Sequence, residues 1–470
     1  MWHDGLIFKL RKNGINGNLL DVIIDFLKNR HQRVVLNGKE SSWEPILSGV
    51  PQGSVLGPLL FLLYINDLTD NISSSMRLFA DDSSLFLRVR DIQVSQNALM
   101  NDLDTITLWA HQWKMEFNPD ITKQAIEVVF SQKYKKPLHP PLTFNGIPVK
   151  REVQTKHLGV ILDEKLTFRK HISEKIIKAN KGIGMLKFLS KYTTRRVLDI
   201  LYKLYVRPHL DYGDILYHDQ AKDTMALLES VQYNAGLIVA NCWKGTNRDR
   251  LYNELGWESL SNRRHFRRLS LFYQIKNDLA PAYLADCIKD VPPDITNRYS
   301  NSFFPYCQVH FANLDHTIAN SPSLAIFKSR FLKTIRPTPK QHFDIGDKYG
   351  LSLLVKLRLH FSDLREHRFR HHFNCQSPIC SCQNGDETTK HFLLSCSKFN
   401  NARRTFLSNL DSIVPGSTIL LQTDQDKLIN IILYGSPELN PELNKIILLS
   451  SIAFIKATKR FKKLEAYSEE

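Results

Sequence analysis

The sequence has 470 residues, 43% of them hydrophobic and 23% charged, which is ordinary for globular protein and excludes a wholly disordered chain. This length predicts two to four domains, because a single hydrophobic core stops growing well below it. The formal net charge of +16 favours a polyanionic partner, of which nucleic acid is the most common.

The sequence carries no signal of a membrane or secreted protein. Its longest apolar run, residues 446–455, is about half of the roughly 20 residues needed to cross a bilayer. The first residues lack the basic and apolar segments of a secretory signal. Seven cysteines, an odd number, do not predict a disulfide framework. We therefore expect an intracellular, reduced protein.

Residues 1–130 alternate helical and strand patterns. Apolar residues at helical spacing predict a helix over 18–29, and residues 33–36 followed by Asn37-Gly38 predict a strand that enters a tight turn. A loop rich in Gly and Pro follows at 49–58. The next predicted elements are an apolar helix over 59–68, a hairpin over 76–89, an amphipathic helix over 91–117 and a strand over 126–130.

Beyond Pro140 the strand signals become sparse, and the pattern is mostly helical. The predicted order is a small hairpin over 158–166, helices from His171 onward, candidate boundaries at 290–305 and 336–340, a basic helical stretch over 350–373, and two further helices that end near Leu464.

The sharpest local feature is Phe79-Ala80-Asp81-Asp82, at the predicted turn of the 76–89 hairpin. Two adjacent carboxylates repel each other, so cations or solvent must accompany them. Two Mg²⁺ ions held by carboxylates are what an in-line attack on a nucleoside triphosphate requires. Taken alone, such a pair more often marks a solvated turn, because Asp is common in turns.

Three segments precede this turn: Gly49-Val50-Pro51-Gln52-Gly53-Ser54, then Leu56-Gly57-Pro58-Leu59-Leu60-Phe61, then Tyr64-Ile65-Asn66-Asp67-Leu68. Together with the acidic turn, they resemble the second and third palm motifs of the reverse transcriptase of jockey-like non-LTR retrotransposons. The likeness continues downstream, so it covers nearly the whole chain. The segments that extend it are 113–123, 157–163, 205–213 and 258–264.

The resemblance implies roles for individual residues. Asp81 and Asp82 would be catalytic and would hold Mg²⁺ or Mn²⁺, with Asp81 the stronger candidate because the first of the pair usually faces the site in this family. Gln52 and Gly53 would approach the nucleotide and template, since glycine has no Cβ to intervene. Phe79 would lie beside the nucleotide sugar, and the alternative is a plain core residue.

Two downstream motifs add further expectations. The family's Asn-Pro-x-Lys-Thr is loosened here to Asn-Pro-Asp-Ile-Thr-Lys, and it places Lys123 where its charge would counter the triphosphate or protonate pyrophosphate. A lone lysine is more often a solvated surface charge. Residues 157–163, with the sequence His-Leu-Gly-Val-Ile-Leu-Asp, resemble the primer-grip hairpin.

A second constellation consists of Cys380, Cys382, His391 and Cys396. Four such ligands satisfy tetrahedral Zn²⁺ and leave no open position, which indicates a structural site. The Cys-x-Cys spacing is tighter than the usual Cys-x₂-Cys. Spacing alone therefore favours a zinc site and a chance group of reduced cysteines equally. The cluster resembles the C-terminal Cys/His segment of jockey-like elements, including Glu387-Thr388, which favours zinc. Cys375 is a candidate substitute ligand.

Residues 328–370 interleave cations with aromatic residues. Cations neutralise phosphates and planar rings stack on bases, so the stretch is a candidate nucleic-acid interface. Residue by residue, amphipathic helices with core aromatics are the favoured interpretation. The summed charge beside a zinc module still favours nucleic acid, either RNA or DNA.

We predict an α+β protein: a partial reverse-transcriptase palm of antiparallel sheet and helices, a mostly helical thumb and connection, and a helical zinc-bearing C-terminal module. The predicted function is RNA-directed DNA synthesis with element RNA as template, nicked target-site DNA as primer and deoxynucleoside triphosphates as substrates. It would act in the nucleus on chromosomal DNA and otherwise lie in the cytoplasm. The predicted domains are 1–155 for the palm and fingers remnant, 156–290 for the primer-grip hairpin and thumb, 291–350 for a linker and basic region, and 351–470 for the C-terminal module.

One palm element of the family has no counterpart in this sequence. The family's first palm strand, which carries another metal-binding Asp, precedes a Trp-His-Asp-Gly segment, and Trp2-His3-Asp4-Gly5 opens this chain. Asp4 is not a replacement, because a carboxylate there is more simply an N-terminal helix charge. We therefore expect this chain alone to be impaired in DNA synthesis. The alternative is a non-catalytic nucleic-acid-binding remnant or domesticated protein.

Overall fold

The computed structural model describes residues 1–117, 125–134, 139–218, 222–289, 297–335 and 345–461. The chain forms two compact units, Met1–Leu166 and Thr167–Glu470. The boundaries predicted at 155, 290 and 350 stay predictions. In the described ranges, no helix combines the length and the apolar character needed to cross a membrane.

The first unit is built on helices that share one apolar core. Its buried side chains include Leu10, Leu60 and Tyr64, and Trp109 and Trp113 pack against them. A short 3-10 helix, Asn66–Thr69, continues the third helix. The helices are α1 (His3–Lys12), α2 (Gly17–Leu27), α3 (Leu56–Ile65) and α4 (Ile92–Gln112).

Every sheet among the described residues has two strands. All pairs are antiparallel except β7 with β10. The pairs are β1 (His31–Gln32) with β4 (Glu44–Pro45), β2 (Val35–Leu36) with β3 (Lys39–Glu40), β5 (Ser75–Phe79) with β6 (Asp82–Phe86), β7 (Ile126–Glu127) with β10 (Lys150–Arg151), β8 (Thr143–Phe144) with β9 (Ile147–Pro148), and β11 (Gln154–His157) with β12 (Val160–Asp163).

Positive φ angles set two of these hairpins. Asn37 and Gly38, at φ +52° and +76°, form the predicted tight turn between β2 and β3. Leu158 and Gly159, at +45° and +79°, form the turn between β11 and β12. The hairpin expected over 158–166 was therefore placed too late, because this Leu-Gly pair is its turn and not its first strand.

The second unit is mainly helical in its described residues, with one isolated antiparallel bridge between Ile379 and Asp386. Two π-helical turns, Tyr202–Val206 and His391–Ser395, and two short 3-10 helices, Ala282–Cys287 and Ser397–Phe399, interrupt the α-helices. The α-helices are α5 (Arg169–Leu189), α6 (Arg195–Leu201), α7 (Arg207–Asp211), α8 (Lys222–Ala240), α9 (Arg248–Leu255), α10 (Leu260–Lys276), α11 (Asn297–Ser300), α12 (Phe303–Ala312), α13 (His316–Ala319), α14 (Leu324–Ile335), α15 (Lys348–Arg358), α16 (Arg365–Arg370), α17 (Asn400–Ile413), α18 (Ser417–Thr423), α19 (Gln425–Tyr434) and α20 (Pro441–Ala457).

The C-terminal part of this unit has more helices than expected. Two were predicted after the Cys/His cluster, whereas α17 to α20 are four and end at Ala457. Gly416 and Gly435 adopt φ +86° and +81°, which ends the regular helical path at both positions. These helices and α15 enclose one apolar core that includes Leu354, Phe392 and Ile447.

A buried ionic contact links α6, α9 and α15. Glu254 accepts hydrogen bonds from Arg195 and Arg358, each at 3.0 Å, and all three side chains are buried. Burial raises the pKa of Glu254, but the two guanidinium groups outweigh it and hold that pKa below its ordinary value. Arg358, a cation of the predicted basic stretch, is thus committed to a carboxylate inside the protein.

The aromatic residues of the 328–370 stretch divide between core and surface. Phe331 and Phe361 are buried, and so is Phe327 just before the stretch, which confirms the core interpretation for these three rings. Phe369 is exposed. The candidate nucleic-acid interface predicted over 328–370 is therefore not continuous along this stretch.

Candidate active site and metal centre

The acidic pair lies at the turn of the β5–β6 hairpin, as predicted. Phe79 pairs with Asp82, which leaves Ala80 and Asp81 as the two turn residues. Both carboxylates are exposed, and no described residue forms a hydrogen bond or ion pair with them through its side chain. Their oxygens are therefore available to cations, which matches the donor set that Mg²⁺ prefers.

The turn holds a strained residue next to the carboxylates. Ala80 has φ +50°, a left-handed conformation that costs a non-glycine residue about 1 kcal/mol or more. Phe79 is 63% exposed, so the alternative that it is a core residue is wrong for this unit. The turn thus presents one ring and two carboxylates to solvent.

The Gln52–Gly53 loop is fixed at both ends. Gly49 donates its N–H to the Met1 carbonyl at 2.8 Å, and the Ser54 hydroxyl donates to the Pro51 carbonyl at 2.8 Å. A Cβ at Gly57 would lie 2.8 Å from that same carbonyl, so only glycine fits. Gln52 and Gly53 themselves are exposed, and Gly53 adopts φ +80°.

The loop and the acidic hairpin border one core. Val50 and Leu56, which flank the loop, pack against the same apolar cluster as Leu78, which precedes the acidic turn. This shared core fixes both segments on one scaffold. The direct proximity of Gln52 to Asp81 stays a prediction.

A buried lysine organises the helices behind the loop. Lys9 donates to the Tyr64 carbonyl at 2.6 Å and to the Asp67 carboxylate at 2.5 Å, and its ammonium lies 3.8 Å from the centre of the Trp113 ring. Burial lowers the pKa of Lys9, and Asp67 opposes that shift. Trp109 also donates to Asp67, at 3.0 Å. Asp67, part of the Tyr-Ile-Asn-Asp-Leu segment, is thus a structural carboxylate.

The start of β5 is anchored by α4. Asp102 is buried and accepts backbone N–H groups from Ser73 at 2.8 Å and Ser74 at 2.9 Å. Burial raises the pKa of Asp102, but hydrogen bonds from both serines outweigh this and lower it. Sequence reasoning missed Asp102, because nothing local distinguishes it from a surface carboxylate of an amphipathic helix.

The predicted primer-grip hairpin contacts the acidic hairpin. The Ser84 hydroxyl of β6 lies 3.4 Å from His157 Nδ1 of β11. Residues 118–124, which include Lys123, lie outside the described residues. The role predicted for Lys123 therefore stays a prediction.

The four predicted zinc ligands come together in the second unit. Their ligand atoms all lie within 4.8 Å of one another, and Cys380 Sγ lies 3.7 Å from Cys396 Sγ. Tetrahedral Zn–S bonds of about 2.3 Å would place two sulfurs about 3.8 Å apart. Cys382 Sγ lies 3.2 Å from His391 Nε2. The cluster therefore fits tetrahedral Zn²⁺ in both donor type and spacing.

The surroundings of two of the thiols shift their pKa values in opposite directions. The Asn384 N–H, more than any other contact, lowers the pKa of Cys382 to about 6, whereas burial raises the pKa of Cys396 to about 12. Zinc binding would therefore have to displace the proton of Cys396. The Cys375 thiol points to the Ser377 carbonyl, 3.2 Å away, and is not part of the cluster.

Two buried ionic side chains support the cluster, and sequence reasoning assigned a role to neither. Arg403 donates to the Cys396 carbonyl at 2.8 Å and to the Leu393 carbonyl at 2.8 Å. Glu387 is 2% exposed and accepts hydrogen bonds from Arg460 Nε at 2.6 Å and Arg460 Nη2 at 2.7 Å. The only sequence signal was Glu387 in the Glu-Thr pair ahead of His391.

Comparison with known proteins identifies the class of the first unit. Residues 1–162 match the family described as Reverse transcriptase (RNA-dependent DNA polymerase). This match covers the Gln52–Gly53 loop, the acidic turn and the hairpin that follows. Residues 1–162 therefore form a reverse-transcriptase domain.

Curated relatives narrow the class. The chain is 28% identical over 243 residues to the RNA-directed DNA polymerase from mobile element jockey of Drosophila melanogaster, which covers 49% of this chain and 26% of the relative. It is 27% identical over 283 residues to the probable RNA-directed DNA polymerase from transposon BS of the same species, covering 57% and 31%. These similarities support a jockey-like reverse transcriptase of a non-LTR retrotransposon, in agreement with the resemblance found in the sequence motifs. It matches about a quarter to a third of the length of these relatives.

Proposed function

We propose that this chain supplies the catalytic hairpin, the primer grip, the thumb and a zinc module to an enzyme that copies element RNA into DNA from a target-site primer. The observation that carries the proposal is the two-residue turn that exposes Asp81 and Asp82 within a reverse-transcriptase domain. Acting on chromosomal DNA would place the protein in the nucleus.

The residues of the turn suit nucleotidyl transfer. Asp81 and Asp82 would hold Mg²⁺ or Mn²⁺, and such ions, when bound, neutralise the triphosphate and favour ionisation of the primer 3′-hydroxyl. The exposed Phe79 ring is adjacent to them and would contact the sugar of the nucleotide. The Gln52–Gly53 loop would let backbone approach the base pair closely.

The turn does not supply a complete metal site by itself. Two metals about 3.5–4 Å apart need ligands on both sides, and Asp81 and Asp82 belong to one turn. Among the described residues, no third strand pairs with β5 or β6, so both edges of the hairpin keep unpaired backbone groups. We propose that an Asp-bearing strand pairs there in the active enzyme.

The test is primer extension by a chain that carries such a strand. The segment that precedes the matching region in the jockey relative is joined to Met1, and the fusion is given an RNA template, a DNA primer and Mg²⁺. Asp81→Ala should lower extension about thousandfold, because a bound metal contributes several kcal/mol to transition-state stabilisation. The matched control is Asp104→Ala, which removes an exposed carboxylate on α4.

Two outcomes would contradict the proposal. Extension by the Asp81→Ala fusion at the rate of the unaltered fusion would show that Asp81 holds no catalytic metal. A fusion that binds RNA and DNA tightly but extends no primer would instead favour the non-catalytic nucleic-acid-binding alternative.

A further inference from the structure

Aromatic rings form a small surface cluster in the second unit. Trp243 lies in the loop between α8 and α9, and Phe373 lies just after α16. Both pack edge-to-face against Phe361 and against each other, with ring centres 5.9, 5.6 and 6.2 Å apart. Phe361 is 3% exposed, whereas Phe373 is 40% exposed. The cluster therefore has a buried centre and an outer part that reaches solvent.

The loop that carries Trp243 is held in place by distant residues. The Tyr233 hydroxyl donates to the Thr246 carbonyl at 2.8 Å and accepts the Gly245 N–H at 3.0 Å. The Asn241 amide donates to the Ser352 hydroxyl on α15 at 3.0 Å. Trp243 is thus presented on a preorganised loop, which lowers the entropic cost of binding a partner.

Phe373 is also fixed. Its N–H donates to the Arg368 carbonyl at 2.9 Å, and the preceding His372 adopts φ +57°. A non-glycine residue in this conformation stores strain, which packing against Phe361 must offset. The strained turn directs the backbone so that Phe373 joins the cluster, and Phe373 stays half-exposed at the surface.

One cation contacts the cluster, and others lie close to its residues along the chain. The Lys356 ammonium lies 4.1 Å from the centre of the Trp243 ring, and Lys244 and Arg250 are exposed on the same loop and helix start. Burial lowers the pKa of His360, and the charges of Arg250 and Arg370 lower it further. The nearby carboxylates are Asp249, Asp363 and Glu366, and Glu366 is paired with Arg370.

We propose that Trp243, Phe373 and the cations around them form a binding site for single-stranded nucleic acid. Unpaired bases would stack on the exposed Phe373 ring and on the part of Trp243 that reaches solvent, and Lys244, Arg250 and Arg370 would contact the phosphates. A duplex keeps its bases paired and stacked, so it would gain only the phosphate contacts. The site lies outside the reverse-transcriptase domain, and binding there does not depend on DNA synthesis.

Binding to the full chain tests the proposal. Fluorescence anisotropy would compare a labelled twelve-nucleotide oligo(U), oligo(dT) and a duplex of the same length. Phe373→Ala should weaken single-strand binding about tenfold and change duplex binding little, since base stacking is lost. Lys244→Gln with Arg250→Gln should lower the slope of log affinity against log salt by about two.

Matched controls separate the site from general charge. Lys427→Gln with Lys445→Gln removes the same charge from exposed positions on α19 and α20. This control pair should weaken single-strand binding several-fold less than Lys244→Gln with Arg250→Gln does. The proposal would be overturned if both double variants lost the same single-strand affinity and Phe373→Ala bound like the unaltered chain. That result would show diffuse charge attraction.

A second measurement needs no variant. Oligo(U) carrying 5-iodouracil is irradiated on the unaltered chain, and the crosslinked peptides are mapped by mass spectrometry. Crosslinks at Trp243 or Phe373 support the site. Crosslinks confined to the first unit, or an acidic peptide that competes as well as oligo(U), would contradict it. Failure of primer extension would not alter either result, so the two proposals fail separately.

Discussion

The acidic hairpin and the Cys/His cluster are both small, but they are supported in different ways. β5 and β6 form a two-stranded sheet with an exposed turn, anchored at one end by Asp102. The Cys/His cluster lies against a large apolar core, Arg403 donates a hydrogen bond to the Cys396 carbonyl, and Glu387 forms an ion pair with Arg460. Two-stranded hairpins are marginal by themselves, whereas a core with a bound metal is not.

This contrast indicates where each region obtains its stability. The C-terminal module supplies all four ligands of its candidate metal site from one short segment, in which Cys380 and Cys396 are 16 positions apart. The hairpin proposed to be catalytic has both edges unpaired within the described part of the chain. We therefore expect loss of zinc to damage the module directly, and loss of a strand partner to damage the hairpin.

Removal of zinc should give the largest effect. Cys380→Ser, or a chelator, should unfold the region around 345–461, because structural zinc sites contribute on the order of 10 kcal/mol. Hydrogen exchange on the full chain would show loss of protection there and little change in α1 to α4. Cys287→Ser, at an exposed free thiol, is the control. Equal protection with and without metal would show that the cysteines are incidental.

The next effect concerns the ion pair beside the cluster. Glu387→Gln should destabilise the module by roughly 3 kcal/mol, because it leaves Arg460 largely buried without its carboxylate. Lys390→Gln, in the exposed pair with Asp426, should produce no measurable change. Urea unfolding of the zinc-loaded chain measures both. Similar values for the two variants would mean that Arg460 finds another partner.

A smaller effect is expected in the first unit. Asp102→Ala should destabilise the β5–β6 hairpin by about 2 kcal/mol, because two backbone N–H groups lose a charged acceptor. Since the folded pKa of Asp102 lies below the unfolded value of 3.8, this contribution is present above that pH and is lost as pH falls through the folded pKa. Asp104→Ala should not change the protection of the β5–β6 amides from hydrogen exchange. A loss of protection equal to that caused by Asp102→Ala would refute the anchoring role.

The features that could be predicted from sequence are local. The acidic turn was predictable because apolar strands flank two carboxylates, and the zinc ligands because four donors lie within 17 residues, 380–396. The turn at Leu158–Gly159 was misplaced, because a Leu-Gly pair is a weaker turn signal than Asn-Gly.

Contacts between distant segments were not predictable. Arg358 pairs with a carboxylate 104 residues away, and Trp243 meets a ring that follows α15. The sequence interpretation favoured core aromatics for the individual residues of 328–370 and a nucleic-acid interface for their summed charge, but it could not say which rings are buried. The structure shows that Phe331 and Phe361 are. Only tertiary packing determines which face of each helix is buried.

The most direct test of the account compares primer extension by the 470-residue chain with extension by the fusion that adds the preceding palm segment. The account predicts that the fusion extends a DNA primer on RNA with Mg²⁺ and that the 470-residue chain does not, because Asp81 and Asp82 on one turn cannot hold both metals. Robust extension by the 470-residue chain, abolished by Asp81→Ala, would contradict it and show that this chain already contains a complete site.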